Sequence, residues 1–495
     1  MLMKKLAAKI FAAYIHRKNQ KWIKNPISTQ EETRIYLQKK ANNTAYGKDH
    51  KFSEIQSYED FKASVPVVDY EGIKPYVERV VEGESDVLWP GRPLYYAKTS
   101  GTTSGAKYIP ITPESMPTHI SAARNAILNY IHQSGNTAFV TGKQIFLQGS
   151  PEMEDIKGVK LGRLSGIAAH YVPSYLLKNR MPTWETNCIE DWETKVDTIV
   201  DETLPEKMSV IAGIPSWVQM YFERLIAKEG KAVGDIFPDF QLFIHGGVNY
   251  KPYVPVFEKL IGRRVDQIEL FPASEGFFAY QDQLDQEGLL LLLNQGIFYE
   301  FIPVDSFGDP HPKRIWLDEV ELGVNYVLIL NTTAGLWGYN IGDTVRFVSK
   351  DPYRIVVTGR LKHYISAFGE HVIGKEVETA MENTLSQLTA SVKEFTVAPQ
   401  IKPAEGLPYH EWLVEFDNPP ADMLAFEKVL DAEMQQQNVY YQDLIQGKVL
   451  RPVKITALAP QAFQQYMKSI GKLGGQNKVP RLSNDRKIAD ALQTL

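Results

Sequence analysis

The chain has 495 residues, with 54 Lys and Arg against 59 Asp and Glu, which gives a formal net charge of −5 at pH 7. This slightly acidic balance, without a basic stretch rich in aromatic residues, argues against a nucleic-acid-binding protein. Cys188 is the only cysteine, which excludes an intrachain disulfide and the usual cysteine-based metal sites. No window approaches the about 18 uncharged apolar residues of a membrane span, so we expect a cytoplasmic protein with no membrane partner.

Apolar residues at helical spacing dominate the first part of the chain. The helices predicted there are Leu2–Lys24, Gln30–Tyr46, Tyr58–Lys62, Tyr70–Gly83 and Pro113–His132. Strands and helices then alternate. The predicted strands are Gln144–Leu147, Ser209–Ile214, Phe240–His245 and Val265–Phe271, and the helices are Trp217–Lys228 and Val254–Ile261. This alternation favours an α/β architecture with a mainly parallel sheet.

A more antiparallel, β-barrel-like portion is predicted next. Its strands are Gly296–Pro303, Trp316–Leu317, Tyr326–Asn331 and Arg354–Val357. After Gly359-Arg360 the pattern changes to an α+β unit of about 130 residues, a plausible size for a domain. Its predicted elements are Lys375–Leu388, Glu394–Pro399, Glu411–Phe416, Leu424–Gln437, Pro452–Leu458 and Ala462–Ile470. We therefore predict a large domain over 1–358, a small mobile domain over 363–495 and a hinge at 359–362.

A hydroxyl-rich stretch from Thr99 to Lys107 lies between two short strands and holds three Thr, two Ser, two Gly, one Ala and one Lys. Small hydroxyl residues and Gly let backbone N–H groups surround an anion, and Lys107 adds a positive charge. The spacing is not that of a P-loop, because three residues separate Gly101 from Gly105 and Tyr108 follows Lys107. Such a loop either binds polyphosphate or is a plain flexible hairpin loop.

Three later stretches are each predicted to end an apolar strand with polar or Gly residues, and ligands bind beyond strand ends in open α/β sheets. His245-Gly246-Gly247 permits close approach of a ring or phosphate, or forms a tight turn. It is similar to an esterase oxyanion loop, but the chain has no G-x-S-x-G nucleophile motif. Glu275, after Ala273-Ser274, is either a ligand for a hard cation or a residue beside a helix cap. Asp343, after Gly342, is either a ribose ligand or a turn residue.

The order of these stretches resembles the adenylate-forming superfamily of acyl-CoA synthetases, adenylation domains and luciferase. The finer details resemble the auxin-responsive Gretchen Hagen family of acyl-acid amido synthetases, most closely its bacterial members. The segments that carry the resemblance are Val65–Val68 with Tyr70, Tyr96–Pro110, Phe271–Glu275, Phe298–Pro303, Tyr339–Asp343 and Asn477–Arg481. The resemblance spans nearly the whole chain.

The resemblance implies that ATP and Mg²⁺ are used and that a small carboxylic acid is joined to an amine such as an amino acid. The implied nucleotide-binding residues are Thr99, Ser100, Gly101, Thr102, Thr103, Ser104, Gly105, Gly246, Gly247, Ala273, Ser274, Glu275, Asp343 and Arg360. Glu275 is the implied metal ligand, Lys362 falls at the hinge, and Lys478 and Lys107 are the implied catalytic residues. A monomer or weak homodimer is expected.

Some positions depart from the pattern of acyl-CoA synthetases. Ala106 precedes Lys107 where those enzymes have Pro, Ile341 replaces a usual Thr, Lys362 replaces a frequent Asp, and Asn477 precedes Lys478 in place of Gly. These differences weaken an interpretation as a thioester-forming enzyme, which stays open as an alternative. A nucleotide-binding protein without turnover is the third possibility, although such a protein has little use for a mobile lysine.

Overall fold

The structure is a computed structural model, and it describes residues 2–99, 107–247, 250, 253–309, 312–361, 364–365, 372–401, 403–446, 449–474, 478–483 and 485–495. The chain divides into two compact units. The first comprises Met1–Gly247 and Arg264–Val356, and the second comprises Val248–Arg263 and Val357–Leu495. In the described residues, no helix combines the length and apolar character that crossing a membrane requires.

The first unit begins with helices, many of which start at a capping side chain. Asp69 accepts hydrogen bonds from the backbone N–H groups of Glu71 and Gly72 at the start of α5, and Ser57 forms a capping box with Asp60 at the start of α4. The helices of this unit are α1 (Leu2–Ile23), α2 (Pro26–Ala41), α3 (Ala45–Asp49), α4 (Tyr58–Ser64), α5 (Tyr70–Val81), α6 (Met116–Ser134), α7 (Leu164–Ala169), α8 (Ser174–Leu177), α9 (Trp184–Cys188), α10 (Trp192–Thr203), α11 (Pro215–Glu229) and α12 (Val233–Ile236).

Two sheets form the rest of this unit, and the last strand of the larger one in chain order, β16 (Tyr353–Arg360), continues past Val356 into the second unit. The smaller has the strand order β2-β1-β5-β4, from β1 (Tyr95–Thr99), β2 (Lys107–Ile111), β4 (Glu154–Ile156) and β5 (Val159–Gly162). The larger has twelve strands in the order β13-β12-β14-β15-β16-β11-β10-β9-β8-β7-β3-β6. They are β3 (Lys143–Phe146), β6 (Arg180–Met181), β7 (Met208–Ala212), β8 (Leu242–Gly246), β9 (Asp266–Ala273), β10 (Gly276–Tyr280), β11 (Leu289–Leu291), β12 (Ile297–Pro303), β13 (Ile315–Trp316), β14 (Asn325–Thr332), β15 (Tyr339–Lys350) and β16 (Tyr353–Arg360).

The large sheet is parallel at one end and antiparallel at the other. Strands β6, β3, β7, β8 and β9 pair in parallel, and β7 is buried along its whole length, as strands covered on both faces are. The antiparallel part curves back on itself, because the rings of Phe278 on β10 and Tyr299 on β12 lie 6.5 Å apart although the two strands are not neighbours in the sheet. The parallel and antiparallel portions predicted from the sequence are thus both present in one sheet.

The second unit is an α+β assembly. Strands β19 (Ser391–Gln400), β20 (Tyr409–Asn418) and β21 (Lys454–Ala457) form one sheet, and β17 (Tyr364–Ile365) pairs with β18 (Val372–Ile373). Its helices are α13 (Val254–Ile261), α14 (Gly374–Gln387), α15 (Met423–Gln437), α16 (Val439–Gln446), α17 (Ala462–Ser469) and α18 (Lys487–Gln493). Phe395, Trp412, Phe426 and Leu430 are central to its apolar core. The hinge at 359–362 and the domain ranges 1–358 and 363–495 stay predictions.

One helix prediction is wrong for a local reason. The single helix expected over Gln30–Tyr46 is two helices, because α2 ends at Ala41 and α3 begins at Ala45. Thr44 caps the second helix, with its side-chain oxygen accepting a hydrogen bond from the Gly47 backbone N–H at 3.0 Å. A Thr at an N-cap starts a new helix where an uninterrupted apolar pattern predicts continuation.

Candidate active site

The two strands that flank the hydroxyl-rich stretch form the predicted hairpin. They pair antiparallel, with Thr99 opposite Lys107. Lys107 is half-buried, and its ammonium nitrogen lies 5.4 Å from the centre of the Tyr70 ring. The candidate residues Ser100, Gly101, Thr102, Thr103, Ser104 and Gly105 lie outside the described residues. The hairpin flanks therefore agree with the prediction, and phosphate binding by the residues between them stays a prediction.

The segment from Val65 to Tyr70 connects this hairpin to strand β15. The Tyr70 hydroxyl accepts a hydrogen bond of 2.9 Å from the Tyr108 backbone N–H. Two residues before Tyr70, Val68 donates its N–H to Gly338 O at 3.0 Å, and its carbonyl accepts from the Asn340 N–H at 2.8 Å. One short segment thus holds both the second strand of the hairpin and the first residues of β15.

Asp343 lies near the beginning of β15. Asn340 pairs with Ile329 on β14, and Thr344 pairs with Val327. More residues of β15 than of β14 lie between these two pairs, so β15 forms a β-bulge there. Gly342 has φ of +88°, a conformation that favours glycine, and its N–H donates to the Asn340 side chain at 2.8 Å. The bulge places Asp343, which is 8% exposed, in a buried position. The expectation that Asp343 follows the end of a strand is wrong, because Gly-Asp marks a bulge here and not a terminal turn.

Glu275 lies in the tight turn that joins β9 to β10. Ala273 and Gly276 form the last pair of this hairpin, so Ser274 and Glu275 are the two residues of the turn. Ser274 is buried and Glu275 is half-buried. The alternative interpretation as residues of a helix cap is therefore wrong. In the part of the chain that the structure describes, no group of three or more His, Cys, Asp or Glu side chains is arranged to hold a metal ion, and magnesium binding at Glu275 stays a prediction.

The Gly246-Gly247 turn lies beside this hairpin. Gly246 pairs with Leu270 on the parallel strand β9, and a Cβ on Gly246 would lie 2.3 Å from the Leu270 carbonyl oxygen. Only glycine fits so close to a neighbouring backbone. His245 is buried, and burial lowers its pKa to about 3, so the imidazole is neutral at physiological pH. Gly246, Gly247 and the Ala273–Glu275 turn are thus brought to one edge of the sheet.

Curvature of the sheet brings this edge towards the start of β15. A Cβ on Gly276, the residue after Glu275, would lie 2.6 Å from the Ile297 side chain. Ile297 pairs with Thr332 on β14, and the same strand pairs Leu330 with Tyr339. Gly276, next to Glu275, therefore lies against the first residue of β12, and only β14 separates that residue from the beginning of the strand that carries Asp343. A nucleotide site shared by Glu275 and Asp343 stays a prediction.

In the second unit, Lys478 is exposed. Hydrogen bonds hold the chain two and three residues after it, at Pro480 and Arg481. Pro480 O accepts from the Thr396 hydroxyl at 2.7 Å, and Arg481 O accepts from the Val397 N–H at 2.9 Å. The largely buried Arg481 side chain lies between the carboxylates of Glu378, at 3.1 Å, and Glu394. The candidate Arg360 is the last residue of β16, and its side chain lies outside the described residues, as does Lys362.

A buried polar network beneath the site was not predicted. Glu300, fully buried in β12, accepts from the Asn331 amide at 2.8 Å and the Tyr58 hydroxyl at 3.0 Å, and it forms an ion pair with Arg314. Arg314 also donates to the Val65 carbonyl, and Asn331 Oδ1 accepts from the Gly338 N–H at 2.7 Å. Val68 and Tyr339 form an isolated β-bridge, and the network contacts the chain just before each partner, at Val65 and at Gly338. The signal in the sequence was a charged residue inside the apolar strand Ile297–Pro303.

The link through Tyr70 predicts a measurable effect on nucleotide binding. We expect Tyr70→Phe to lower the free energy of unfolding by about 1–3 kcal/mol, because the Tyr108 N–H loses its acceptor, and to weaken ATP binding. Urea unfolding and ATP titration measure the two effects. The matched control is Tyr76→Phe on the same helix, which removes an exposed hydrogen bond to Asp49 and should leave ATP affinity unchanged. Equal ATP affinity in both variants would contradict a role for Tyr70 in supporting the hairpin.

Comparison with known proteins agrees with this architecture. Residues 16–187 match the GH3 family N-terminal domain, residues 290–360 the central domain and residues 375–487 the C-terminal domain of the same family. Indole-3-acetic acid-amido synthetase GH3.4 from Arabidopsis thaliana is 22% identical over 92% of this chain and 89% of its own length. Jasmonoyl–L-amino acid synthetase JAR4 from Nicotiana attenuata is 19% identical over 64% of this chain and 66% of its own length.

Solved structures share the fold. The GH3.15 acyl acid amido synthetase superposes with a TM-score of 0.80 at 16% identity, over 98% of this chain and 96% of that chain. A 2-hydroxyisobutyryl-CoA ligase in the postadenylation state superposes with a TM-score of 0.61 at 13% identity, over 97% and 93%. The fold is therefore that of the adenylate-forming enzymes, as the motif order predicted. Within that class, the chain belongs to the GH3 (Gretchen Hagen) family.

Proposed function

We propose that this GH3-family ligase is an ATP-dependent acyl-acid amido synthetase that joins a small carboxylic acid to an amine, specifically an amino acid. The main observation in support of this proposal is that the relatives that match most of the chain are amido synthetases. The arrangement around the start of β12 supports it, because Gly276 beside Glu275 contacts Ile297 there and the neighbouring strand β14 pairs with the strand of Asp343.

The reaction proceeds in two half-reactions. A carboxylate oxygen of the acid attacks the α-phosphorus of ATP, the bond to pyrophosphate breaks, and a mixed acyl–AMP anhydride forms. The amine nitrogen then attacks the acyl carbon, AMP departs with the electron pair of the anhydride bond, and the amine proton passes to solvent. The acid must be activated because an amine that attacks a free carboxylate would have to expel oxide, which is too basic to be a leaving group.

The residues divide into groups that match this chemistry. Lys107 and the hydroxyl-rich stretch before it supply donors and positive charge for the phosphates, which is electrostatic stabilisation of the transferring phosphoryl group. The buried carboxylate of Asp343 is suited to accept hydrogen bonds from ribose hydroxyls. Glu275, together with phosphate oxygens and water, would hold Mg²⁺, which would neutralise phosphate charge. Gly246, Gly247, Ala273 and Ser274 offer backbone surface against the base.

Lys478 supplies a second positive charge, and a hinge at 359–362 would allow the small domain to bring it to the α-phosphate for the first half-reaction and remove it for the second. Arg360 would lie next to the ribose. Location in the cytoplasm and a monomeric or weakly dimeric state complete the proposal, and both come from the sequence alone.

The proposal is tested by pyrophosphate release from ATP with a panel of carboxylic acids, followed by product mass with amino acids or CoA. We expect acid-dependent pyrophosphate release and a product whose mass equals the sum of acid and amino acid minus water. A thioester product with CoA would identify the alternative acceptor. ATP binding without pyrophosphate release for any acid would instead indicate a nucleotide-binding protein.

The role of Asp343 is tested separately. We expect Asp343→Ala to weaken binding of a non-hydrolysable ATP analogue about tenfold or more, since a charge-assisted hydrogen bond is worth about 1.5–3 kcal/mol. Titration of the analogue measures the effect. Asp285→Ala, at an exposed position in the same unit, is the control and should bind the analogue as the wild type does. Identical affinity in Asp343→Ala would remove this residue from the nucleotide site.

A further inference from the structure

Three cationic side chains surround the segment Gln148-Gly149, which follows β3. Lys195 donates to the Gln148 carbonyl at 3.1 Å. Arg180 Nη2 lies 2.6 Å from the side-chain oxygen of Gln148 in the amide orientation that satisfies both amide groups. A Cβ on Gly149 would lie 3.0 Å from Arg163 Cδ. The three cations therefore form one cluster around two consecutive residues.

This cluster has no carboxylate counter-ion among the residues that the structure describes. Lys195 is 1% exposed, and burial lowers its pKa to about 8. Burial also lowers the pKa values of Arg163 and Arg180. Removing a cation from water without an anion is unfavourable. A bound anion that is not part of the chain would offset this desolvation cost, so the cluster is suited to bind one.

Two of the cations have structural partners, and the third does not. Lys195 donates to Asn187 O at 2.6 Å and Arg180 to Ala169 O at 3.0 Å, both carbonyls near helix C-termini. The Arg163 carbonyl accepts from the Ile167 N–H at 2.9 Å at the start of α7, but its guanidinium forms no hydrogen bond or ion pair with any described residue. Buried polar atoms without partners lie on the helices beside the cluster. They are Ser165 Oγ, Asn187 Oδ1 and Trp192 Nε1. Within the described part of the chain, the Arg163 guanidinium is therefore without a partner, and further polar groups lie nearby.

The cluster lies on the side of the sheet where ligands bind in this fold class. Gln148 and Gly149 follow the carboxyl end of the parallel strand β3. Arg163 follows β5, which pairs in parallel with β1 through Gly162 and Ala97. Arg163 is thus beside the residues that lead into the hydroxyl-rich stretch. A substrate bound at the hairpin would therefore lie on the same side of the molecule as this arginine.

We propose that Arg163, assisted by Arg180 and Lys195, forms a subsite for a carboxylate that is not the one activated by ATP. The proposal rests on the proposed function, which supplies two sources of such a carboxylate: the far end of a dicarboxylic acid, or the α-carboxylate of the amino acid. Arginine suits this task because its planar fork binds both carboxylate oxygens. Neither source requires any new chemistry, since the group is bound and not transformed.

The test compares Arg163→Gln with the wild type on pairs of probes that differ only in one carboxylate. Adipate against hexanoate tests the acid, and alanine against ethylamine tests the amine. Shifts of the thermal unfolding midpoint measure binding of each probe, and pyrophosphate release and amide formation measure turnover. We expect the wild type to prefer the carboxylate-bearing member of one pair and Arg163→Gln to lose about tenfold or more of that preference. The pair that changes identifies the source.

Lys160→Gln is the matched control. Lys160 is an exposed cation on the preceding strand β5 and forms an ion pair with Asp155. This variant should retain the wild-type preference. The subsite is overturned if neither adipate nor alanine stabilises the wild type more than its partner probe. It is equally overturned if Arg163→Gln weakens both members of each pair alike or acts only on ATP. Absence of acid-dependent pyrophosphate release in the wild type would overturn the proposed function, whereas normal release with an unchanged preference in Arg163→Gln overturns the subsite alone.

Discussion

Replacement of Lys478 by Ala is expected to reduce acyl-adenylate formation about 100-fold or more while ATP still binds, because a cation that acts on the developing phosphoryl charge contributes on that scale. Lys478 is exposed, so its removal leaves no buried cavity. Pre-steady-state pyrophosphate release measures the first half-reaction, and titration with an ATP analogue measures binding. A selective loss of rate would identify Lys478 as a residue of the transition state.

Two controls separate this role from a general loss of positive charge in the second unit. Lys487→Ala removes another exposed lysine, one paired with Asp485 at 3.6 Å, and should leave the rate unchanged. Arg481→Lys keeps a positive charge but cannot reproduce the contacts with both Glu378 and Glu394. We expect this variant to slow the first half-reaction less than Lys478→Ala does, since it loosens the segment without removing the lysine. An unaffected rate in Lys478→Ala would exclude that residue from the mechanism.

The regular elements were predictable from the sequence because their signals are local. The apolar run of β7 and the amphipathic helix α13 lie within a few residues of their predicted bounds. The hydroxyl-rich hairpin was predictable because composition alone separates Thr99–Lys107 from core segments. These features depend on residues that are close together in the chain, so the spacing of apolar and polar residues is sufficient to predict them.

The features that were missed depend on residues distant in the chain. The bulge at Gly342 is defined by the pairing of β15 with β14, and a Gly-Asp pair by itself is equally typical of a turn. The cations Arg163, at the N-cap of α7, Arg180, on β6, and Lys195, on α10, are distant in the chain and meet only in the fold. For Glu300, the sequence showed a charge in an apolar strand, but its partner Arg314 was identifiable only from the structure.

Replacement of Glu300 by Ala is expected to lower the free energy of unfolding by about 3–5 kcal/mol, because it leaves Arg314 charged, buried and unpaired. Both side chains are nearly inaccessible to solvent. Asn331 and the Tyr58 hydroxyl would also lose an acceptor. Urea denaturation followed by tryptophan fluorescence measures the loss, and the exposed pair of Glu59 with Lys62 provides the control, since Glu59→Ala should change stability by no more than about 1 kcal/mol.

The double variant Glu300→Leu with Arg314→Met separates two effects of the network. One is the loss of stability caused by an unpaired buried charge, and the other is the loss of support for the nucleotide site. Removing both charges should recover much of the stability, because a buried ion pair is often replaceable by apolar residues. The Arg314 contact with the Val65 carbonyl and the Asn331 contact with Glu300 are both absent in this variant, so the Val68–Tyr339 bridge loses its support. We therefore expect the double variant to fold but to bind ATP more weakly than the wild type. Wild-type affinity in a stable double variant would show that the network serves folding alone and does not position the site.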